Sequence, residues 1–203
     1  MTPHRLGDHG DSCGVGLLAS PGVAVSPLMP TTPEWKRLHA MGRLHAIFFP
    51  PRAELPQGLR VFSVYAPLRA APEWEVFTTA FLDFVAQLDL QVPTLLLGDF
   101  NGSVLPARDY ASQKPSGDSK RPDSPPVCRL LSRLLGPRGP FLDLQMVISP
   151  ELFRWTFRSP RETCCVYSRC DLALGNQAVL PLIEQVHVAA LSRCCLTSGL
   201  GAC

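Results

Sequence analysis

A chain of 203 residues, 46% hydrophobic and 18% charged, is long enough for one domain with a sizeable core and has a globular composition. Its formal net charge of +2 gives no strong overall pull toward nucleic acid, and no segment approaches the roughly 20 apolar residues of a membrane helix. Of the 8 cysteines, Cys13 and Cys128 stand alone, the rest crowd the C-terminal fifth, and no Cys-x-x-Cys occurs; that spacing does not suit a secreted disulfide scaffold and gives a zinc site little support.

The first residues, MTPHRLGDHGDS, carry acids and glycines where a signal peptide needs an apolar run, so reduced thiols in an intracellular protein are the expectation. Residues 1–13 read as an unstructured segment. GVGLLASPGVAVSPL (14–28) reads as two short strands broken at Ser20-Pro21-Gly22, a hairpin by turn chemistry. GRLHAIFF (42–49) and LRVFSVYAP (59–67) read as two more strands joined by a Pro-rich loop. The period then changes. Trp74, Phe77, Phe81, Phe84, Val85 and Leu88 fall at helical spacing, with Pro72 near the first turn and Glu73 and Glu75 placed to favour the helix dipole.

VPTLLLGDF (92–100) is an unalternated apolar run suited to a strand buried on both faces. Residues 102–126 turn to Ser, Pro, Lys, Arg and Asp, a long surface loop. VCRLLSRLLG (127–136) reads as a short amphipathic helix. After LDLQMVISPE (142–151), which is harder to assign, come strands in FRWTF (153–157), YSRCDLAL (167–174) and IEQVHVAAL (183–191). The sum is an α/β domain over 14–191, two-layered or sandwich-like with helices outside the sheets, followed by an irregular tail at 192–203.

One stretch, TLLLGDFNGS (94–103), carries chemistry and admits two readings. Asp99 and Asn101 can simply make a turn, since Asn-Gly is a turn signal and both side chains cap their own backbone. They can equally mark a site where a strand end aims an acid and an amide at a phosphate. Other residues admit two readings as well: Tyr65 packs on the sheet or faces the site, and Asp171 pairs with a cation or serves the site. Trp155 reads as core before base-stacking platform. Arg108, Lys114, Lys120 and Arg121 in the long loop read as solvated charges before DNA-backbone contacts.

Three phrases in order, SVYAP (63–67), LLLGDFN (95–101) and SRCD (168–171), resemble the endonuclease/exonuclease/phosphatase superfamily. Within it they look most like the endonuclease domain of non-LTR (LINE-type) retrotransposons. The ARDY of 107–110 and the Trp155-Thr156-Phe157 of a later strand fit that pattern, while Cys170 and Leu172 stand where Ile and Tyr are usual. The resemblance implies a deoxyribonuclease I-like two-layered β-sandwich flanked by helices. It also implies a magnesium-dependent phosphodiesterase that nicks DNA, with the DNA phosphate backbone as partner and a nuclear location if it acts on chromosomal DNA. Carried over by motif, Asp99 orients or deprotonates the attacking water, Asn101 donates to a phosphate oxygen, Tyr65 sits against the phosphate, and Asp171 holds a catalytic His in its tautomer.

The same comparison exposes departures. The family's metal-binding Gln-Glu occurs nowhere in the chain, so the Mg²⁺ ligands are not identified by motif; Asp8 and Asp11 are the acids present near the start. The closing Ser-Asp-His falls in register on Ser192-Arg193-Cys194, and His187 reads as a strand residue rather than a substitute base. The fold is therefore expected to be incomplete at its N-terminus and last motif, as in a truncated or decayed copy, and catalysis to be impaired. The alternatives are a non-catalytic nucleic-acid or protein-binding remnant of the fold, or a phosphatase or phospholipase sharing it. Oligomeric state is not legible.

Overall fold

The computed structural model describes residues 15–17, 21–105, 110–113, 128–152, 156–161 and 164–186. They form a mixed α/β fold built on a six-stranded mixed sheet flanked by helices, with a second, three-stranded antiparallel sheet. No helix among the described residues is long and apolar enough to cross a membrane.

The main sheet has the order β1-β2-β3-β4-β9-β6. Its strands are β1 (Ser26–Pro27), β2 (Leu44–Phe49), β3 (Leu59–Tyr65), β4 (Thr94–Asp99), β6 (Leu142–Asp143) and β9 (Asp171–Gly175). Strand β3 runs parallel to β4, and the helix α2 (Trp74–Ala86) makes the crossover between them; the other pairs are antiparallel.

Both faces of the sheet are apolar, as the unbroken Leu95-Leu96-Leu97 run requires. One face carries Phe62, Val64, Leu96, Leu172 and Leu174, and packs on α1 (Pro33–Ala40), on α2 and on α3 (Arg129–Leu135). Phe77, Phe81 and Phe84 of α2 recur at one-turn spacing and are buried against this face, with Phe62 and Phe84 edge-to-face at 5.2 Å. Each such ring contributes about 1.5–3 kcal/mol on burial. The opposite face carries Val61 and Leu95, covered by Leu144 of α4 (Leu144–Ile148) and Val179 of a 3-10 helix (Gln177–Leu182).

Several expectations from sequence are corrected. Among the described residues of 14–28 the strand is Ser26–Pro27 alone, and it pairs with β2 rather than closing a hairpin of its own. Helix α1 was not expected. Its start is nevertheless written in the chain, because the Thr32 hydroxyl accepts the Trp35 N–H at 3.3 Å and Pro33 opens the first turn. The expected loop of 102–126 contains β5 (Tyr110–Gln113). The strand assigned to 153–157 instead runs as β7 (Phe157–Arg161), and Trp155 lies outside the described residues.

The single strand read in 167–174 is two. Strand β8 (Cys164–Ser168) lies in the second sheet, of order β5-β8-β7, and β9 lies in the first; they are separated at Arg169-Cys170. Arg169 is fully buried there, ion-paired to Asp143 and bonded to Gln145 at 3.2 Å. Residues 183–186, expected as strand, are irregular, and 187–191 lie outside the described residues.

Gly98 sits one residue before the end of β4 with φ of +143°, and a Cβ there would collide with the Val64 carbonyl oxygen of β3. Close approach of the two strands therefore requires glycine. Gly98→Ala is expected to lose more than the roughly 1–3 kcal/mol of backbone strain alone, seen as a lowered urea midpoint; a midpoint equal to the parent's would remove this constraint.

Candidate functional site

The register of the three central strands assembles the site. Tyr65 at the end of β3 is paired with Asp99 at the end of β4, and Asp99 is paired with Asp171 at the start of β9. Residues directly opposite in adjacent strands project from the same face, so a phenol and two carboxylates share one edge of the sheet. On that edge the Asp99 carbonyl accepts the Ala66 N–H at 2.8 Å, and the Phe100 N–H donates to the Cys170 carbonyl at 2.9 Å.

Asp99 and Asn101 do make a turn. The Asp99 carboxylate accepts the Asn101 N–H at 2.8 Å, and Asn101 takes a positive φ of 45°, which asparagine tolerates better than most side chains. The Asn101 amide also donates to the Ala66 carbonyl at 2.6 Å. An amide carries two hydrogens. One of them is thus taken by the loop after β3, which leaves the other for the donor role expected of this amide.

Burial pushes the Asp99 carboxyl above its ordinary value; the Asn101 N–H works against that shift, and the charge of Asp171 adds to it. Beside this pair lies Cys170, which sequence reasoning noted only as a departure from the family pattern. Its thiol is 3.8 Å from the Asp171 carboxylate and is pushed up to about 12, chiefly by burial and then by the charges of Asp99 and Asp171. It therefore stays protonated at neutral pH and is not a nucleophile. The Thr156 hydroxyl accepts the N–H groups of both Cys170 and Asp171, each at 3.1 Å, and so fixes the start of β9.

Asp171 itself is exposed. The described histidines, His39 and His45, lie ring to ring at 4.5 Å, and neither has a bond to Asp171 among its described contacts. His187, the loop cations Arg108, Lys114, Lys120 and Arg121, the acids Asp8 and Asp11, and Ser192-Arg193-Cys194 all lie outside the described residues.

A further residue escaped the sequence reading. Arg43 immediately precedes β2, and its carbonyl accepts the Tyr65 N–H at 3.0 Å, which extends the β2–β3 register by one pair. Its guanidinium lies 4.9 Å from the centre of the Tyr65 ring and 3.1 Å from Glu73. An Arg before a strand is no local signal; only the register reveals it. The row across four strands is thus Arg43, Tyr65, Asp99, Asp171.

Among the described residues no three His, Cys, Asp or Glu side chains converge to hold a metal ion. A magnesium ion, however, is commonly held by one or two carboxylates, with water and substrate phosphate completing its shell. Asp99 beside Asp171 offers that donor chemistry, and a cation would relieve the repulsion that helps raise Asp99. No protein-family model matches the chain, and no curated protein matches it.

The shift of Asp99 has a definite sign. Its folded value lies above the ordinary 3.8, so the stability it contributes is complete below that value and lost as pH rises through the folded value. Asp99→Asn keeps an oxygen for the Asn101 N–H and removes the buried charge. It is expected to melt above the parent at pH 7, with the gap closing toward pH 3; a lower melting point at pH 7 would contradict the burial argument. In site-resolved iodoacetamide labelling at pH 8, folded Cys170 is expected to react at least about tenfold more slowly than in urea.

Proposed function

We propose that this chain is a deoxyribonuclease I-like domain of the endonuclease/exonuclease/phosphatase superfamily, of the non-LTR retrotransposon endonuclease kind. Its proposed parent reaction is magnesium-dependent hydrolysis of a DNA phosphodiester. The observation that carries this reading is the strand-end row in which Tyr65, Asp99 and Asp171 meet. All three were singled out by motif, and independent strand registers bring them to one edge. The mixed sheet with helices on its faces is compatible with the two-layered arrangement that the superfamily implies.

When bound, a magnesium ion polarises the phosphate and lowers the pKa of a coordinated water; Asp99 and Asp171 are the side chains that would hold it. Asp99 would also orient the attacking water, the role its motif implies. The Asn101 N–H fixes the orientation of that carboxylate. The Tyr65 hydroxyl and the second Asn101 amide hydrogen would donate to the phosphate.

The chain contains neither a Gln-Glu pair nor a Ser-Asp-His phrase. The His of that phrase is the family's general base, a role typically worth about 10²–10⁴-fold in rate, so turnover by the 203-residue chain is proposed to be slow. A binding role for the same edge is the second reading.

The discriminating experiment is plasmid nicking by purified protein with magnesium and with a chelator, beside Asp99→Asn. Slow nicking that needs magnesium and falls at least about 10²-fold in the variant is expected. Nicking indifferent to both the chelator and the variant would remove the assignment. Salt-sensitive duplex binding without any metal-dependent turnover would leave the binding role.

A further inference from the structure

The row at the sheet edge contains one cation, Arg43, and its surroundings suit capture of an anion. The Arg43 side chain is only 13% exposed, stacked on Tyr65, whereas its partner Glu73 is 39% exposed. The guanidinium is therefore enclosed against the Tyr65 ring, while the carboxylate is the half open to water. A partly exposed ion pair contributes little, about 0.2–1 kcal/mol. A phosphate, by contrast, can accept two parallel N–H bonds from the planar guanidinium fork. The two carboxylates of Asp99 and Asp171 in the same row make any phosphate there unwelcome unless a positive group offsets them.

We infer that Arg43 is the anion anchor of this site, that its ligand is the phosphate of a phosphodiester, and that Glu73 occupies the anchor as a displaceable carboxylate until a phosphate replaces it. This deepens the proposed phosphodiesterase reading and rests on it for the identity of the ligand. The exchange makes and breaks only hydrogen bonds: the Glu73 carboxylate turns into solvent from the start of α2 as a phosphate oxygen takes its place. Because Arg43 also stacks on Tyr65, capture of the phosphate brings it against the phenol and within the row that ends at Asp99 and Asp171.

The test is a double-mutant cycle, read by anisotropy of a short fluorescein-labelled DNA duplex in chelator at several salt concentrations. Circular dichroism verifies each fold. Glu73→Gln is expected to tighten binding about two- to fivefold. Arg43→Gln is expected to weaken it and to reduce the slope of log affinity against log salt by about one. Arg43→Lys, which keeps charge and bulk but not the fork, falls between the two. In Arg43→Gln/Glu73→Gln the gain from Glu73→Gln disappears. A gain that survives without Arg43 would be a bulk charge effect, of the size that the exposed Glu75→Gln measures, and would overturn the anchor.

The Arg43 Nε–H resonance, followed during titration with inorganic phosphate against a chloride control, separates this inference from the reading beneath it. A phosphate-specific shift that Glu73→Gln strengthens, without duplex binding, upholds the anchor and removes the nuclease assignment. Duplex binding with no dependence on Arg43 removes the anchor and leaves that assignment. No response at Arg43 to either probe overturns the anchor.

Discussion

The pairing of β4 with its two neighbours is the constraint on which the rest of this molecule depends. Strand β4 is parallel to β3 on one side and antiparallel to β9 on the other. A slip of one residue in either pairing would send every side chain of the strand to the opposite face. Apolar residues on both faces prevent it. Leu96 must reach the aromatic layer of α2, and Leu95 must reach Leu144 and Val179. With those two positions fixed, the end of the strand is fixed too. Asp99 then emerges beside Tyr65 and opposite Asp171 without further adjustment. The site is a consequence of core packing several residues away.

Against that rigid frame the site stores unfavourable electrostatics. Burial raises Asp99 and Cys170, and the charges of Asp99 and Asp171 further raise the thiol between them. The local backbone answers with specific bonds. Thr156 accepts two adjacent N–H groups, the Asp99 carboxylate accepts the Asn101 N–H, and the buried Arg169 pairs with Asp143 just before the acid pair begins. Removing one partner from such a buried ion pair leaves an uncompensated charge, which is far more damaging than the pair's net contribution suggests. Stability held in the core and in these bonds thus maintains two neighbouring acids whose charges oppose one another.

What the sequence made legible follows from the range of each interaction. Strands β2, β3 and β4 and helix α2 were readable because six to thirteen residues of period two, period 3.6 or unbroken apolar character repeat the same instruction. Helix α1 was missed because eight residues hold only Trp35 and Leu38 as buried positions, too few for a period, although Thr32-Pro33-Glu34 marked its start. Strand β5, Tyr-Ala-Ser-Gln, has no apolar alternation to read, and its pairing with β8 across more than fifty residues creates it. The break between β8 and β9 was invisible for a related reason. Arg169 looks like a surface residue until Asp143 and Gln145, 26 and 24 residues away, accept it in the interior.

The candidate site divides along the same line. Tyr65, Asp99, Asn101 and Asp171 were singled out because each lies inside a short phrase, the first, second and fourth at a strand end and Asn101 in the turn after β4. Arg43 and Glu73 were not, since thirty residues separate them and only the fold brings them to 3.1 Å. At Asp99 the turn reading and the site reading do not exclude one another. The turn is real: the carboxylate accepts the Asn101 N–H. A carboxylate has two oxygens and about four lone-pair positions, so one bond to its own backbone fixes the direction of the group while leaving acceptor capacity for a metal or a water. The turn is what orients the acid.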